Sequence, residues 1–295
     1  MATNKQQVWR VVDLLLWTKD YLRSKGSEAP QIEAEWLLRA VLHCSRLEIY
    51  LRHEQPLTPA ELAQFKELLL KRVAGQPIQY VLGSAEFMDL TLEVSPAVLI
   101  PRPETEILVE RLLEKMTQMP RCSFRILDIG TGSGCIALAL ARHCQHCEIL
   151  AIDVSQPALT VARRNAQHLG LDGQVVFQQL DILKELPSTP PLFDIIISNP
   201  PYVSGERIER LPEIVRRYEP AVALFPGDDD LLFYRRIRDI APQLLVPGGW
   251  IALEIGGTYQ VKAVTELFAS DQFLPVEVFQ DYGGESRVIF TGLTQ

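Results

Sequence analysis

The feature that most restricts how this chain folds is a strand that passes directly into a glycine-rich turn and then into a helix. Arg125-Ile126-Leu127-Asp128-Ile129 is followed at once by Gly130-Thr131-Gly132-Ser133-Gly134, and Cys135 to Arg142 has helical composition. Glycines admit the backbone of a tight turn and let a ligand approach peptide amides without obstruction. The alternation continues from about residue 104, with helices expected at Thr105–Met116, Ala158–Leu169, Leu231–Leu245 and Val261–Ala269. Strands are expected at Ile149–Asp153, from Val175, at Asp194–Ser198, at Trp250–Glu254, and near Val276–Phe279 and Arg287–Phe290. Apolar strands separated by helices predict a mainly parallel, doubly wound α/β sheet, whose ligands bind at the carboxyl ends of the strands.

The residues before this pattern differ. Residues 5–75 read as helices: Val8, Val11, Val12, Leu15, Leu16 and Leu22 fall at broadly helical spacing, and Gln31 to His43 forms a second amphipathic run. Thr58-Pro59-Ala60-Glu61 is a helix start in which Thr58 caps and Glu61 bonds back. Between Gln76 and Ile100 the apolar residues alternate with polar ones, as in Leu90-Thr91-Leu92-Glu93-Val94, and Gly83 and Pro96 interrupt them. The expected organisation is a helical bundle over 1–75, a linking β-hairpin over 76–100 and an α/β domain over 101–295.

With 295 residues, 47% hydrophobic and 22% charged, the composition is that of a globular protein. No apolar run approaches a membrane span, and the N-terminus lacks the features of a secretory signal, so a cytoplasmic protein is expected. The net charge of -8 argues against binding nucleic acid mainly through phosphates. Residues 1–85 hold 11 basic and 9 acidic side chains, leaving 18 and 28 for the remainder, so the acidity lies in the α/β part. The run His143-Cys144-Gln145-His146-Cys147 looks like half of a zinc site but has no second pair, and these residues read as packing groups at a helix end.

The turn's Gly-x-Gly-x-Gly spacing, with an acid two residues before the first glycine, favours S-adenosylmethionine over a dinucleotide. That ligand carries an ammonium group and no pyrophosphate. Asp153, closing the second strand, suits two ribose hydroxyls, with Ser155 left to cap the next helix. Asp181 and Ile182 end the third strand, where an adenine amino group and ring would lie.

The fourth strand ends in Ser198-Asn199-Pro200-Pro201-Tyr202. Two prolines cannot continue a central strand, so they fix an extended loop where this fold places its chemistry. An amide or nucleobase amine is a poor nucleophile because its lone pair is delocalised. Accepting both N–H hydrogens, with the Asn199 side-chain oxygen and the Pro200 carbonyl, fixes the nitrogen and raises its electron density. Tyr202 would stack on the planar group. A sulfonium methyl is electrophilic without a metal. These residues suit a glutamine amide and an exocyclic nucleobase amine equally. A nucleic-acid methyltransferase would also need a basic channel, and a protein that only binds nucleotide would not need the acceptor loop.

Four further segments carry a resemblance. They are Arg72-Val73-Ala74-Gly75-Gln76-Pro77-Ile78-Gln79-Tyr80, Leu99-Ile100-Pro101-Arg102-Pro103-Glu104-Thr105-Glu106, Arg217-Tyr218-Glu219-Pro220 and Asp281-Tyr282-Gly283-Gly284-Glu285-Ser286-Arg287. With the motifs above, they make the chain similar to the HemK/PrmC N(5)-glutamine methyltransferases, which modify peptide chain release factors. The resemblance implies a class I S-adenosylmethionine-dependent methyltransferase with a seven-stranded sheet. It implies that the acceptor is the glutamine of the Gly-Gly-Gln loop of class 1 release factors and that the helical bundle helps dock that protein. Carried over by position, Gly130, Thr131, Gly132, Ser133, Gly134, Asp153, Asp181, Ile182 and Asn199 contact the cofactor. Asn199, Pro200, Pro201 and Tyr202 hold the glutamine, and Arg102, Glu104 and Thr105 line the site without an assigned role. A monomer that needs no metal, takes no nucleic acid as substrate and does not enter membranes is expected.

Overall fold

A computed structural model describes residues 8–119, 121–188 and 192–294, apart from the Glu206 side chain. The chain divides into two compact units at Gly83/Ser84.

The first unit holds helices α1 (Val11–Ser24), α2 (Pro30–Leu42), α3 (Arg46–Leu51), α4 (Pro59–Val73) and α5 (Ile78–Leu82). Its core is built from Val11, Leu15 and Leu22 of α1, Leu37, Leu38 and Val41 of α2, Phe65 and Leu69 of α4, and Ile78 and Val81 of α5. Thr58 caps α4 as expected, accepting from the Glu61 amide at 3.2 Å while Glu61 accepts from the Thr58 amide at 2.7 Å. Inside the bundle Arg72 makes two bonds to Glu33, of 2.8 and 2.9 Å, which leaves neither charge unpaired. Residues 5–7, where the first helix was expected to open, lie outside the described residues, and Val8 is exposed.

The second unit opens with a hairpin, β1 (Ser84–Phe87) and β2 (Leu90–Glu93). This is narrower than the span expected from alternation. Ile78–Leu82 is helical because its apolar residues face the bundle core, and Gly83 ends that helix with a left-handed backbone. The hairpin turn puts Met88 at φ 51°, held by its amide donating to Glu106 Oε1 at 2.6 Å.

The α/β part then runs α6 (Pro103–Thr117), β3 (Phe124–Ile129), α7 (Cys135–His143), β4 (Cys147–Asp153), α8 (Gln156–Leu169), β5 (Val175–Gln179) and β6 (Phe193–Ser198). Three short helices follow, α9 (Gly205–Ile208), α10 (Glu213–Tyr218) and α11 (Ala221–Leu224). The unit finishes with α12 (Leu232–Leu244), β7 (Leu245–Glu254), α13 (Thr258–Leu267), β8 (Glu277–Gln280) and β9 (Ser286–Gly292). The seven strands lie in the order β5-β4-β3-β6-β7-β9-β8, with β9 alone antiparallel to its neighbours. Ile126, Leu127, Ile195, Ile196 and Ile197 have no exposed surface. Each such side chain contributes about 1.5–3 kcal/mol on burial, so the sheet centre is held rigidly.

The strand order changes direction at β3, which pairs in parallel with β4 on one side and with β6 on the other. Ligands of open α/β sheets bind at such a switch point. Pro103 occupies the first position of α6, with Glu104 and Glu106 in its first turn. Cys144 and Cys147, read from the sequence as packing residues, are joined in a disulfide across the turn between α7 and β4. The turn brings two cysteines three residues apart to a Cα separation of 5.5 Å, well within disulfide reach. Among the described residues no helix is long and apolar enough to cross a membrane, and no group of three His, Cys, Asp or Glu side chains could hold a metal.

Candidate active site

A cavity of about 260 Å³ opens at the carboxyl ends of β3, β4 and β6. Its wall includes Gly130, Thr131, Gly132, Ser133, Asp153, Asp181, Ile182, Asn199, Pro200 and Pro201. Gly134 and Tyr202, also expected at the site, lie outside that wall.

The turn after β3 is shaped by its glycines. Gly130, Gly132 and Gly134 have φ of 77°, 57° and 83°. At Gly130 and Gly132 an added β-carbon would meet nothing within 4 Å and would stand in open space. At Gly134 it would meet Leu138 Cδ1 at 3.1 Å and Ala162 Cβ at 3.3 Å, so this glycine serves packing of α7 on α8. The Gly130 and Thr131 amides donate to the Ile152 carbonyl at 2.9 and 3.0 Å, anchoring the turn to β4.

Several polar atoms here are left over. Thr131 Oγ1 and Ser133 Oγ are buried without a hydrogen-bond partner, and so are both carboxylate oxygens of Asp128, just beneath the turn. Burial pushes the Asp128 carboxyl up to about 7, and the nearby Asp153 charge adds to the rise. Unpaired buried polar groups are costly, and at a cavity they point to a ligand. Two hydroxyls on the cavity wall and a side-chain-free approach fit a ligand that brings its own hydrogen bonds, and the buried Asp128 carboxyl lies beneath that wall rather than in it.

Asp153 accepts from the Gly132 amide at 2.9 Å and from the Ser155 amide at 2.8 Å, one on each oxygen. Each oxygen keeps a lone pair, and the carboxylate is held still by the turn it faces. Ser155 caps α8 by accepting from the Ala158 amide at 3.2 Å. Asp181 accepts from the Leu183 amide at 3.1 Å and pairs with exposed Lys184 at 2.8 Å, which lowers its pKa. Ile182 is buried, and its carbonyl accepts from Arg236 Nε at 2.6 Å.

Beyond β6, Ser198 donates to the Ile129 carbonyl at 2.7 Å, tying the two strand ends together. Asn199 Nδ2 donates to Thr105 Oγ1 at 3.0 Å. Thr105 donates in turn to Glu254 Oε2 at 2.6 Å, and Tyr202 donates to Glu254 Oε1 at 3.1 Å. Glu254 ends β7 and is fully buried, which pushes its carboxyl up to about 7 despite both bonds. Neither Asn199 Oδ1 nor the Pro200 carbonyl accepts a hydrogen bond from the described residues. Nearby, Glu219 accepts from the Ile100 amide at 3.2 Å and pairs with Arg102, whose side chain joins the cavity wall.

Two protein-family descriptions match this chain. Residues 13–83 match the PrmC N-terminal domain and residues 103–217 the methyltransferase small domain. The release factor glutamine methyltransferase of Geobacter sulfurreducens is 40% identical over 287 residues, covering 97% of this chain and 98% of that protein. The protein of the same name from Chlorobaculum tepidum is 40% identical over 288 residues, covering 96% and 97%. The chain belongs to the release factor glutamine methyltransferase family. The crystal structure of a methyltransferase from Pyrococcus furiosus, 18% identical, covers 78% of this chain and 98% of its own with a TM-score of 0.52. At that identity the likeness concerns the fold.

As a member of this family the chain is a methyltransferase with a class I fold. Three residues in its site had no role assigned from the sequence. Asp128 stood out only by its spacing to the glycines. Thr105 lay within a family-like segment. Glu254 is the most legible in retrospect, because a charged residue closing a buried apolar strand requires partners.

Proposed function

We propose that this protein transfers a methyl group from S-adenosylmethionine to the side-chain amide nitrogen of the glutamine in the Gly-Gly-Gln loop of class 1 release factors. The observation that carries the reaction is the Asn199–Pro200 pair, whose Oδ1 and carbonyl oxygen are unused at the cavity wall. The choice of a release factor rests on the near full-length likeness to release factor glutamine methyltransferases.

In this reading Asn199 Oδ1 and the Pro200 carbonyl accept the two N–H hydrogens of the acceptor amide. They hold its lone pair toward the donor, and the nitrogen gives up one hydrogen as a proton when it gains the methyl group. Pro201 and Tyr202 keep the loop rigid, the latter through its bond to Glu254. When bound, S-adenosylmethionine supplies a methyl group made electrophilic by positive sulfur, so the chemistry calls for no metal. Thr131 and Ser133 would meet its methionine end, with the Asp128 charge beneath them, Asp153 its ribose, and Asp181 and Ile182 its adenine. Asp181 already shares one oxygen with Lys184, so it contributes as a fixed acceptor rather than a free charge. The helices of residues 8–83 would dock the release factor, and the enzyme would act in the cytoplasm as a monomer.

The test is label transfer from methyl-labelled S-adenosylmethionine to a purified release factor and to its Gly-Gly-Gln glutamine-to-alanine variant. Labelling of the first alone is expected. Equal labelling of both, or preferential labelling of DNA or RNA, would sink the reading. Asn199→Ala should abolish turnover while leaving cofactor affinity, measured by calorimetry, within about twofold.

A further inference from the structure

An asparagine amide has two ends of nearly equal shape and opposite chemistry, since one accepts hydrogen bonds and the other donates them. A site that grips an N–H with Asn199 works only if the oxygen end faces the acceptor. Nothing in Asn199 itself sets that choice.

The neighbouring bonds do set it. An ionised carboxylate can only accept, and a hydroxyl has a single hydrogen. Thr105 spends its hydrogen on Glu254 Oε2 at 2.6 Å, so toward Asn199 it can only accept. Asn199 therefore turns Nδ2 to Thr105 at 3.0 Å and leaves Oδ1 for the site. The same carboxylate receives the Tyr202 hydroxyl at 3.1 Å, which fixes the loop's other end. Glu254 is held from three directions, because Tyr234 donates to its own carbonyl at 2.9 Å. The three parts come from the first turn of α6, the loop after β6 and the end of β7. The helix turn and the strand end are regular elements, and the hydrogen bonds of Asn199 and Tyr202 tie the loop to them.

We propose that Glu254 is a positioning residue that acts through Thr105 to select which end of the Asn199 amide faces the methyl acceptor. The inference rests on the acceptor role of Asn199 stated above. It gives a reason for a buried acid that contacts no reacting atom and for a threonine at the third position inside a helix.

The experiment compares Thr105→Val, Thr105→Ser, Glu254→Gln and Asn199→Ala for kcat, KM for release factor, cofactor affinity and thermal midpoint. Valine keeps the volume of threonine and removes the hydroxyl, whereas serine keeps the hydroxyl. Thr105→Val and Glu254→Gln should lower kcat by about tenfold or more with cofactor affinity within about twofold, and Thr105→Ser should retain kcat within about threefold. Side-chain amide hydrogens of 15N-labelled Asn199 should exchange with solvent faster in Thr105→Val than in the native protein, with or without cofactor. Wild-type kcat in Thr105→Val, equal loss in the serine and valine variants, or unchanged amide exchange would overturn the proposal. If Asn199→Ala loses turnover while Thr105→Val and Glu254→Gln keep it, the relay alone fails. If Asn199→Ala keeps turnover, the underlying acceptor assignment fails with it.

Discussion

Gly256 lies against Tyr202 so closely that a β-carbon on it would stand 2.8 Å from Tyr202 Cδ2. The same atom would meet Gln260 Oε1 at 3.0 Å and would collide with the Tyr259 hydroxyl. Gln260 bridges the two segments, accepting from the Gly256 amide at 2.8 Å and donating to the Tyr202 carbonyl at 3.4 Å. Gly256→Ala should therefore push the acceptor loop out of place. The expected outcome is a fall in kcat of about tenfold or more with cofactor affinity nearly unchanged, because misplacement costs rate rather than cofactor contacts. Steady-state kinetics beside calorimetry checks it, and unaltered kcat would show that the loop tolerates the shift.

Asp128 should cost stability that its ligand recovers. Its folded pKa of about 7 lies above the ordinary 3.8, so between those values the folded protein binds the proton more tightly than the unfolded chain. The contribution of this group is therefore most favourable below about pH 4 and is lost as pH rises through 7. Asp128→Asn removes this decline, and its gain at pH 8 is bounded at about 4 kcal/mol, reduced by the buried amide that replaces the acid. Melting temperatures of the cofactor-free protein at pH 4 and pH 8 should converge at the lower pH and favour the variant at the higher. The variant should also bind S-adenosylmethionine more weakly.

Turnover should depend on the ionisation of Glu254. Facing it are Thr105 and Glu104 from α6, Tyr202 from the acceptor loop, Arg287 from β9, Tyr234 from α12 and Cys135 from α7. Burial is the largest influence and raises the carboxyl to about 7. Once protonated, Glu254 can donate to Thr105, leaving the threonine hydroxyl able either to donate to Asn199 Oδ1 or to accept from Nδ2. With both substrates saturating, kcat should drop as pH falls below about 7, and this limb should be missing from Glu254→Gln. An identical limb in the variant would assign it to another group.

The pair Arg102–Glu219 should support the cavity wall through stability. Glu219 is 6% exposed, and it satisfies both the Ile100 amide and the Arg102 guanidinium. Glu219→Gln keeps the size but cannot accept both charge-assisted bonds. A loss of roughly 1–3 kcal/mol in urea unfolding is expected, since a bond to a buried charged group is involved. No change in the midpoint would place the pair among inert contacts.

Much of the fold was readable because its signals are local. Leu127 and Ile196 lie in apolar runs whose neighbours match strand lengths, and the Gly130–Gly134 turn announces the helix after it. The hairpin was overextended because Ile78 and Val81 serve a helix as well as a strand, and only packing in the bundle decides between them. The loop after β6 was visible through Pro200 and Pro201, which no central strand could hold. The relay was not, since Thr105 and Glu254 are 149 residues apart and meet only after α6 and β7 are in place. Neither was the Cys144–Cys147 bond, because two cysteines at that spacing bind metal or pack as readily as they pair.

The position of β9 bears on how the protein comes off the ribosome. Although it follows every other strand in the sequence, it lies inside the sheet, with Val288 opposite Glu254 and Phe290 opposite Ala252. A nascent chain lacking β9 would leave the flank of β7 open and Glu254 bordering water, where its carboxyl would return toward an ordinary acid. The glycine turn and the acceptor loop would already exist, yet the carboxylate that orients Asn199 would not be in its buried setting. Methylating competence is thereby delayed until β9 has been made and has paired with β7.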